Sequence, residues 1–84
     1  MQTLEEQTLE VLLRIHCEVL DTDRVGAGDN FFDLGGTSMT GVRITRRIQQ
    51  EFGVRVPAKA VFAAASLADL ATVTAAARAE GAGP

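Results

Sequence analysis

The sequence predicts an all-α bundle of three longer helices and one short one. Apolar residues recur at the 3.6-residue period of a helix over residues 4–20, 38–52 and 67–79, and no stretch sustains the two-residue alternation of a strand. The chain is 84 residues long, 46% apolar and 23% charged, the balance of one small folded domain. A domain is therefore expected over 1–84, with its ordered core at about 4–79. A chain of this length buries only about 60% of the surface its unfolded form exposes. It has room for one modest core and none for a deep, walled active site.

In the first helix, Leu9, Leu12, Leu13, His16, Val19 and Leu20 share one arc, and Leu4, Val11 and Ile15 lie on a second. More than half the circumference is apolar, so this helix should touch several neighbours. Residues 21–37 read as a loop of about 17 residues, longer than most connections. Gly26, Gly28, Gly35 and Gly36 oppose helix there, and Val25, Phe31 and Phe32 are the side chains able to pin it. The second helix has Gly41, Ile44, Ile48 and Phe52 on its core stripe and Met39, Val42, Arg43 and Arg46 opposite; Gly53 ends it. Val54 and Val56 read as an extended bridge, and Pro57 opens a short helical turn through Phe62. Ser66 with Asp69 three residues on marks the start of the last helix, whose apolar side is Leu67, Leu70, Ala71, Val73 and Ala77. The closing EGAGP reads as a frayed end.

Charge narrows the function. The net charge is -3. Residues 1–38 carry most of the acid (Glu5, Glu6, Glu10, Glu18, Asp21, Asp23, Asp29 and Asp33), whereas 39–84 are basic. An acidic chain is a poor nucleic-acid binder, because phosphate contacts need a dominant basic face. No apolar run approaches the length of a membrane span, and the acidic N-terminus is unlike a signal peptide. One cysteine excludes an internal disulfide and a multi-cysteine zinc site. The expectation is a cytoplasmic monomer.

Most chemistries fail on their residues. Asp21-Thr22-Asp23-Arg24-Val25-Gly26 begins like a calcium loop but places Val25 and Phe32 where oxygen ligands are required, so no metal site is expected. His16 and Cys17 are adjacent on a helix, point about 100° apart and cannot act as base and nucleophile. Gly36-Thr37-Ser38-Met39-Thr40 lacks the last glycine of a nucleophile elbow, and no second histidine exists to complete a triad. Gly35-Gly36-Thr37-Ser38 also lacks the lysine of a phosphate-binding loop. No catalytic residue is expected.

What remains is Ser38, where the long loop becomes a helix. On a plain structural reading, Thr37 or Ser38 is a helix cap and Gly35-Gly36 a turn. Three features favour more. A helix start stabilises an attached anion through its free N–H groups and dipole. Gly35 and Gly36 clear side chains from around the hydroxyl. Met39 and Val42, with Arg43 and Arg46, stand on the wet face as a docking surface.

The stretch Asp29-Asn30-Phe31-Phe32-Asp33-Leu34-Gly35-Gly36-Thr37-Ser38-Met39 resembles the signature of thiolation domains, the peptidyl carrier proteins of non-ribosomal peptide synthesis. The likeness extends to Val19-Leu20, Arg24-Val25, Glu51-Phe52-Gly53, Val56-Pro57, Val61-Phe62 and Ser66 through Ala71, nearly the whole chain. It implies an acyl-carrier-like four-helix bundle. It also implies that Ser38, framed by Gly35, Gly36 and Thr37, is esterified with 4′-phosphopantetheine taken from coenzyme A by a magnesium-dependent phosphopantetheinyl transferase. The arm's thiol then carries an aminoacyl or peptidyl thioester to adenylation, condensation, tailoring or thioesterase partners. Thr37, Met39, Val42, Arg43 and Arg46 are assigned to partner contact, with Ala60 and Val61 on the short third turn. Carriers of fatty-acid and polyketide synthesis have Asp before the serine, Leu after it and an acidic second helix. Thr37, Met39 and the arginines Arg43, Arg46 and Arg47 depart from that pattern and favour the peptidyl subclass. His16 stands where the family often has tryptophan. An acyl or aryl carrier is the nearest alternative, and an unmodified helical adaptor is an alternative of another class.

Overall fold

The computed structural model describes residues 1–81 and contains four helices: α1 (Leu4–Val19), α2 (Ser38–Phe52), α3 (Ala58–Ala63) and α4 (Leu67–Gly81). Each begins and ends for a local reason. Thr3 caps α1 reciprocally with Glu6: the Thr3 hydroxyl accepts from the Glu6 amide at 3.0 Å, and the Glu6 carboxylate accepts from the Thr3 amide at 3.2 Å. The helix stops at Val19, and Leu20 is its cap. Asp21 then takes the left-handed conformation (φ 53°), and Thr22 N–H reaches back to Cys17 O at 3.1 Å. This is the closure a glycine usually makes, performed by an aspartate, one of the few other residues that tolerates it. Gly53 (φ 70°) ends α2 as expected. Pro57 is not inside α3 but caps it; with no N–H to place, its carbonyl accepts from Ala60 N at 2.9 Å.

α1 packs against both α4 and α2, and the short α3 closes the remaining side against α2 and α4. The core is Leu12 and Ile15 of α1, Ile44 and Ile48 of α2, Val56 of the bridge, Val61 of α3, and Leu67, Leu70, Ala71 and Ala75 of α4, with Phe31 from the loop. The wide apolar surface of α1 is thus used on two sides. Ile15, from its second arc, is buried, while Leu9, Leu13 and Val19 lie at the margin. In α2 the stripe Gly41, Ile44 and Ile48 is buried, and Phe52 lies half-buried beneath the Arg78 guanidinium at 4.4 Å. In α4, Thr74 and Ala75 are buried, whereas Val73, placed on the core side by the sequence, is 47% exposed. The α4 helix keeps Glu80 and Gly81, so the frayed end does not begin there; the rest of that expectation lies outside the described residues.

His16 is fully buried. Its Nδ1 meets Leu12 O at 2.7 Å, while Nε2 has no partner among the described residues. Burial pushes its pKa below the ordinary value, so the ring is neutral, with Nδ1–H donating to the carbonyl.

The long loop is held by hydrogen bonds to the far end of the chain. Asp29 O accepts from Leu67 N and Ala27 O from Ala68 N, both at 2.9 Å, and Ser66 Oγ accepts from Asp69 N at 3.2 Å. The open amides of the α4 start are therefore satisfied largely by the loop itself. Asn30 adds a second clamp, donating to Ala64 O (3.4 Å) and Ala65 O (3.3 Å) while its Oδ1 accepts from Phe32 N at 2.8 Å. Among the described residues, no helix is long and apolar enough to cross a membrane.

Candidate functional site

The loop delivers the chain to the start of α2 at Ser38. Thr37, not Ser38, is the cap. Its hydroxyl accepts from Thr40 N at 3.3 Å, and the Thr40 hydroxyl accepts from Thr37 N at 2.7 Å. The first helical hydrogen bond runs from Gly41 N to Thr37 O at 2.9 Å. With those amides engaged, the N–H groups of Ser38 and Met39 have no partner at the helix start among the described residues. Ser38 itself is exposed, and its hydroxyl takes no part in the capping box. A nucleophilic oxygen, two open amides and the positive end of a helix dipole therefore share one surface. That is a fitting seat for a phosphodiester formed on the serine.

The two glycines before it have different jobs. Gly35 has φ 90°, and nothing lies within 4 Å of the place a Cβ would occupy, so this residue supplies backbone freedom in open space. Gly36 is not clearance above the hydroxyl, as expected from sequence; a Cβ there would overlap the ring of Phe31 beneath it. That ring is 2% exposed and is walled by His16, Phe32 and Phe62, with centroids at 6.2, 5.2 and 5.8 Å. Gly41, on the core side of α2, is likewise met by the Phe62 ring.

The outer face of α2 matches expectation. Met39 is 75% and Val42 45% exposed, and with Arg43 and Arg46 they line a shallow groove. The arginines of this helix divide. Arg47 reaches Glu18 of α1 and Glu51 (3.8 Å), and its hydrogen bond holds the Glu18 carboxyl below its ordinary pKa. Arg14 pairs with Glu51 at 3.1 Å. Arg43 and Arg46 form no ion pair among the described residues, leaving two positive charges beside Met39 and Val42 on an acidic chain. Ala60 is half-buried. Val61 must be corrected: it is 1% exposed and packs in the core, because α3 turns that side inward against α2 and α4, so its side chain offers nothing to a partner. Among the described residues, no group of three or more His, Cys, Asp or Glu is arranged to hold a metal ion.

Two residues build the site without standing out in the sequence. Thr40 completes the cap, and the Thr-x-x-Thr spacing is its only signal. Asn30 fixes the loop through partners more than thirty residues away, which no local pattern announces.

The family model for the phosphopantetheine attachment site matches residues 10–73, enclosing the loop, Ser38 and the packed helices. The chain belongs to the phosphopantetheine-attachment family. Among curated proteins it is 44% identical over 66 residues to the probable non-canonical nonribosomal peptide synthetase CymA of Salinispora arenicola; the match covers 79% of this chain and 1% of CymA. Against the phosphinothricin tripeptide synthetase PhsC of Streptomyces viridochromogenes it is 44% identical over 63 residues, 75% of this chain and 6% of PhsC. The chain thus spans a small fraction of the length of these relatives. Among solved structures, the peptidyl carrier complex of the transferase Sfp with coenzyme A matches with a TM-score of 0.77 at 28% identity, covering 90% of this chain and 94% of the matched one. Members of this family carry 4′-phosphopantetheine, and the α2 start offers it a reachable hydroxyl and open amides.

Proposed function

We propose that the described helices form a single peptidyl carrier domain whose Ser38 hydroxyl is the attachment point of 4′-phosphopantetheine. The exposed, uncommitted Ser38 hydroxyl at the head of α2 carries this reading. The matched family and the synthetase relatives support it. In the modification, the Ser38 Oγ–P bond forms and a pyrophosphate P–O bond of coenzyme A breaks. Adenosine 3′,5′-bisphosphate leaves with the bonding electrons, and the serine proton passes to the transferase. Thr37 fixes the helix start, Gly35 gives the loop its turn in open space, Gly36 lets the backbone lie on the Phe31 ring, and the Ser38 and Met39 amides would face the phosphate charge. Once bound, the group supplies a thiol that holds an aminoacyl or peptidyl unit as a thioester.

The domain does no chemistry of its own; it presents cargo to adenylation, condensation, tailoring or thioesterase partners. Met39, Val42, Arg43 and Arg46, with Ala60 at the margin, form the contact face. It works as a monomer in the cytoplasm. Relatives that make peptides favour the peptidyl subclass over an acyl or aryl carrier. Incubation with coenzyme A and a promiscuous transferase tests the reading. Intact mass should rise by one phosphopantetheine in the native protein and stay unchanged in Ser38→Ala; no gain in the first, or an equal gain in the second, refutes it.

A further inference from the structure

Three phenylalanine rings bracket Ser38 from both directions along the chain. Phe31 lies beneath Gly36, two residues before the serine. Phe62 meets the backbone at Gly41, three residues and about 4.5 Å of helix rise beyond it. Phe32 touches both rings: its centroid is 5.2 Å from Phe31, edge-on, and 5.6 Å from Phe62, stacked with 30° between the planes. The three differ in exposure. Phe31 is core and Phe62 half-buried, but Phe32 is 50% exposed.

That exposure sits on a fixed backbone. Asn30 accepts from Phe32 N at 2.8 Å and from Asp33 N at 3.3 Å, and its amide donates to the carbonyls that follow α3. Phe32 is therefore a half-exposed aromatic surface, stacked on Phe62 and edge-on to Phe31, the two rings that meet the backbone at Gly41 and Gly36 on either side of Ser38. Covering it would be favourable at about 25 cal/mol per Å² of apolar area.

The tether itself says what arrives. A phosphopantetheine ester on Ser38 would begin with its phosphate, toward which the Ser38 and Met39 amides would donate. A methylene follows, then a quaternary carbon bearing two methyl groups, only four bonds from Oγ. This is the first apolar group of the arm and a compact one. It cannot leave the neighbourhood of the α2 start. On the other side of Ser38, the Met39–Val42 face carries the guanidinium groups of Arg43 and Arg46, which form no ion pair among the described residues, a poorer seat for a bare hydrocarbon.

We propose that Phe32, backed by Phe62, is the resting shelf for the gem-dimethyl group of the arm on Ser38, keeping the first part of the tether on the loop–α3 side and the α2 face free for partners. The proposal rests on Ser38 being the attachment residue. Its test is NMR of protein loaded from coenzyme A labelled in the gem-dimethyl carbons, with loading verified by intact mass. The methyl resonances should lie upfield of those in free phosphopantetheine, as methyls over an aromatic face do, and show NOEs to the Phe32 ring. In Phe32→Leu the upfield displacement should collapse; if that variant misfolds, the NOEs in the native protein stand as the deciding measurement. Loaded protein whose methyl resonances coincide with those of free phosphopantetheine, or whose NOEs run to Met39 and Val42, overturns the shelf while leaving the attachment intact. No mass gain at all overturns the attachment and the shelf with it.

Discussion

Replacing Gly36 with alanine separates packing from access. The added methyl enters the space of the Phe31 ring. That ring cannot slide aside, because His16, Phe32 and Phe62 stand around it and it is 2% exposed. Overpacking of this kind costs about 1–3 kcal/mol. The whole domain has only about 4–13 kcal/mol of stability at its length. A loss of 1 kcal/mol lowers Tm by about 4–8 °C in a domain of this size. Thermal and urea unfolding should therefore show Gly36→Ala clearly destabilised. The same change made over Phe31→Leu should cost less, because the smaller side chain vacates the ring's position; a double-mutant cycle measures that relief. An unchanged Tm with slowed phosphopantetheine transfer would refute the packing account and restore clearance as the glycine's purpose. Equal costs in the two backgrounds would also contradict it.

Other outcomes follow from the same geometry. Val42→Asp should unfold cooperatively near the native midpoint by circular dichroism and slow loading by an adenylation partner, while Val61→Asp, which buries a carboxylate in the core, should lose the cooperative transition altogether. Ile48→Ala should lose about 2–5 kcal/mol in urea unfolding, because its side chain is fully buried. His16 gives a pH signature. Its folded-state pKa lies below the unfolded value of 6.5, so the unfolded chain binds the extra proton as pH falls through that value; stability is full above it and declines below, with a slope of at most about 1.4 kcal/mol per pH unit from this group. Urea midpoints measured across that range in native protein and His16→Leu should differ in slope, the variant being flatter; parallel curves would contradict a buried neutral ring.

Much of this was legible in the residues because it is local. The α2 boundaries follow from Thr37, a periodic core stripe and Gly53, and the same periodicity put Met39 and Val42 on the wet side, where they are. What escaped depends on contacts distant in sequence. The six residues of α3 are too few for a period to say which side faces inward, so Val61 could be read either way. The role of Gly36 depends on where a ring five residues earlier comes to rest, and that is set by His16 and Phe62 from two other elements. Arg47 looks like Arg43 and Arg46 in the sequence; only the approach of α1 brings Glu18 to neutralise it. The loop that looks unstructured by composition is held by Asn30 and by the amides of α4.

The central claim is that one oxygen carries the arm, and peptide mapping tests it most directly. After treatment with coenzyme A and transferase, trypsin should release the peptide spanning residues 25–43, which holds Thr37, Ser38 and Thr40 as its only hydroxyl side chains. Fragmentation should place a single phosphopantetheine on Ser38. The arm on Thr37 or Thr40, or a peptide left unmodified while the transferase loads another carrier in the same tube, would contradict the account.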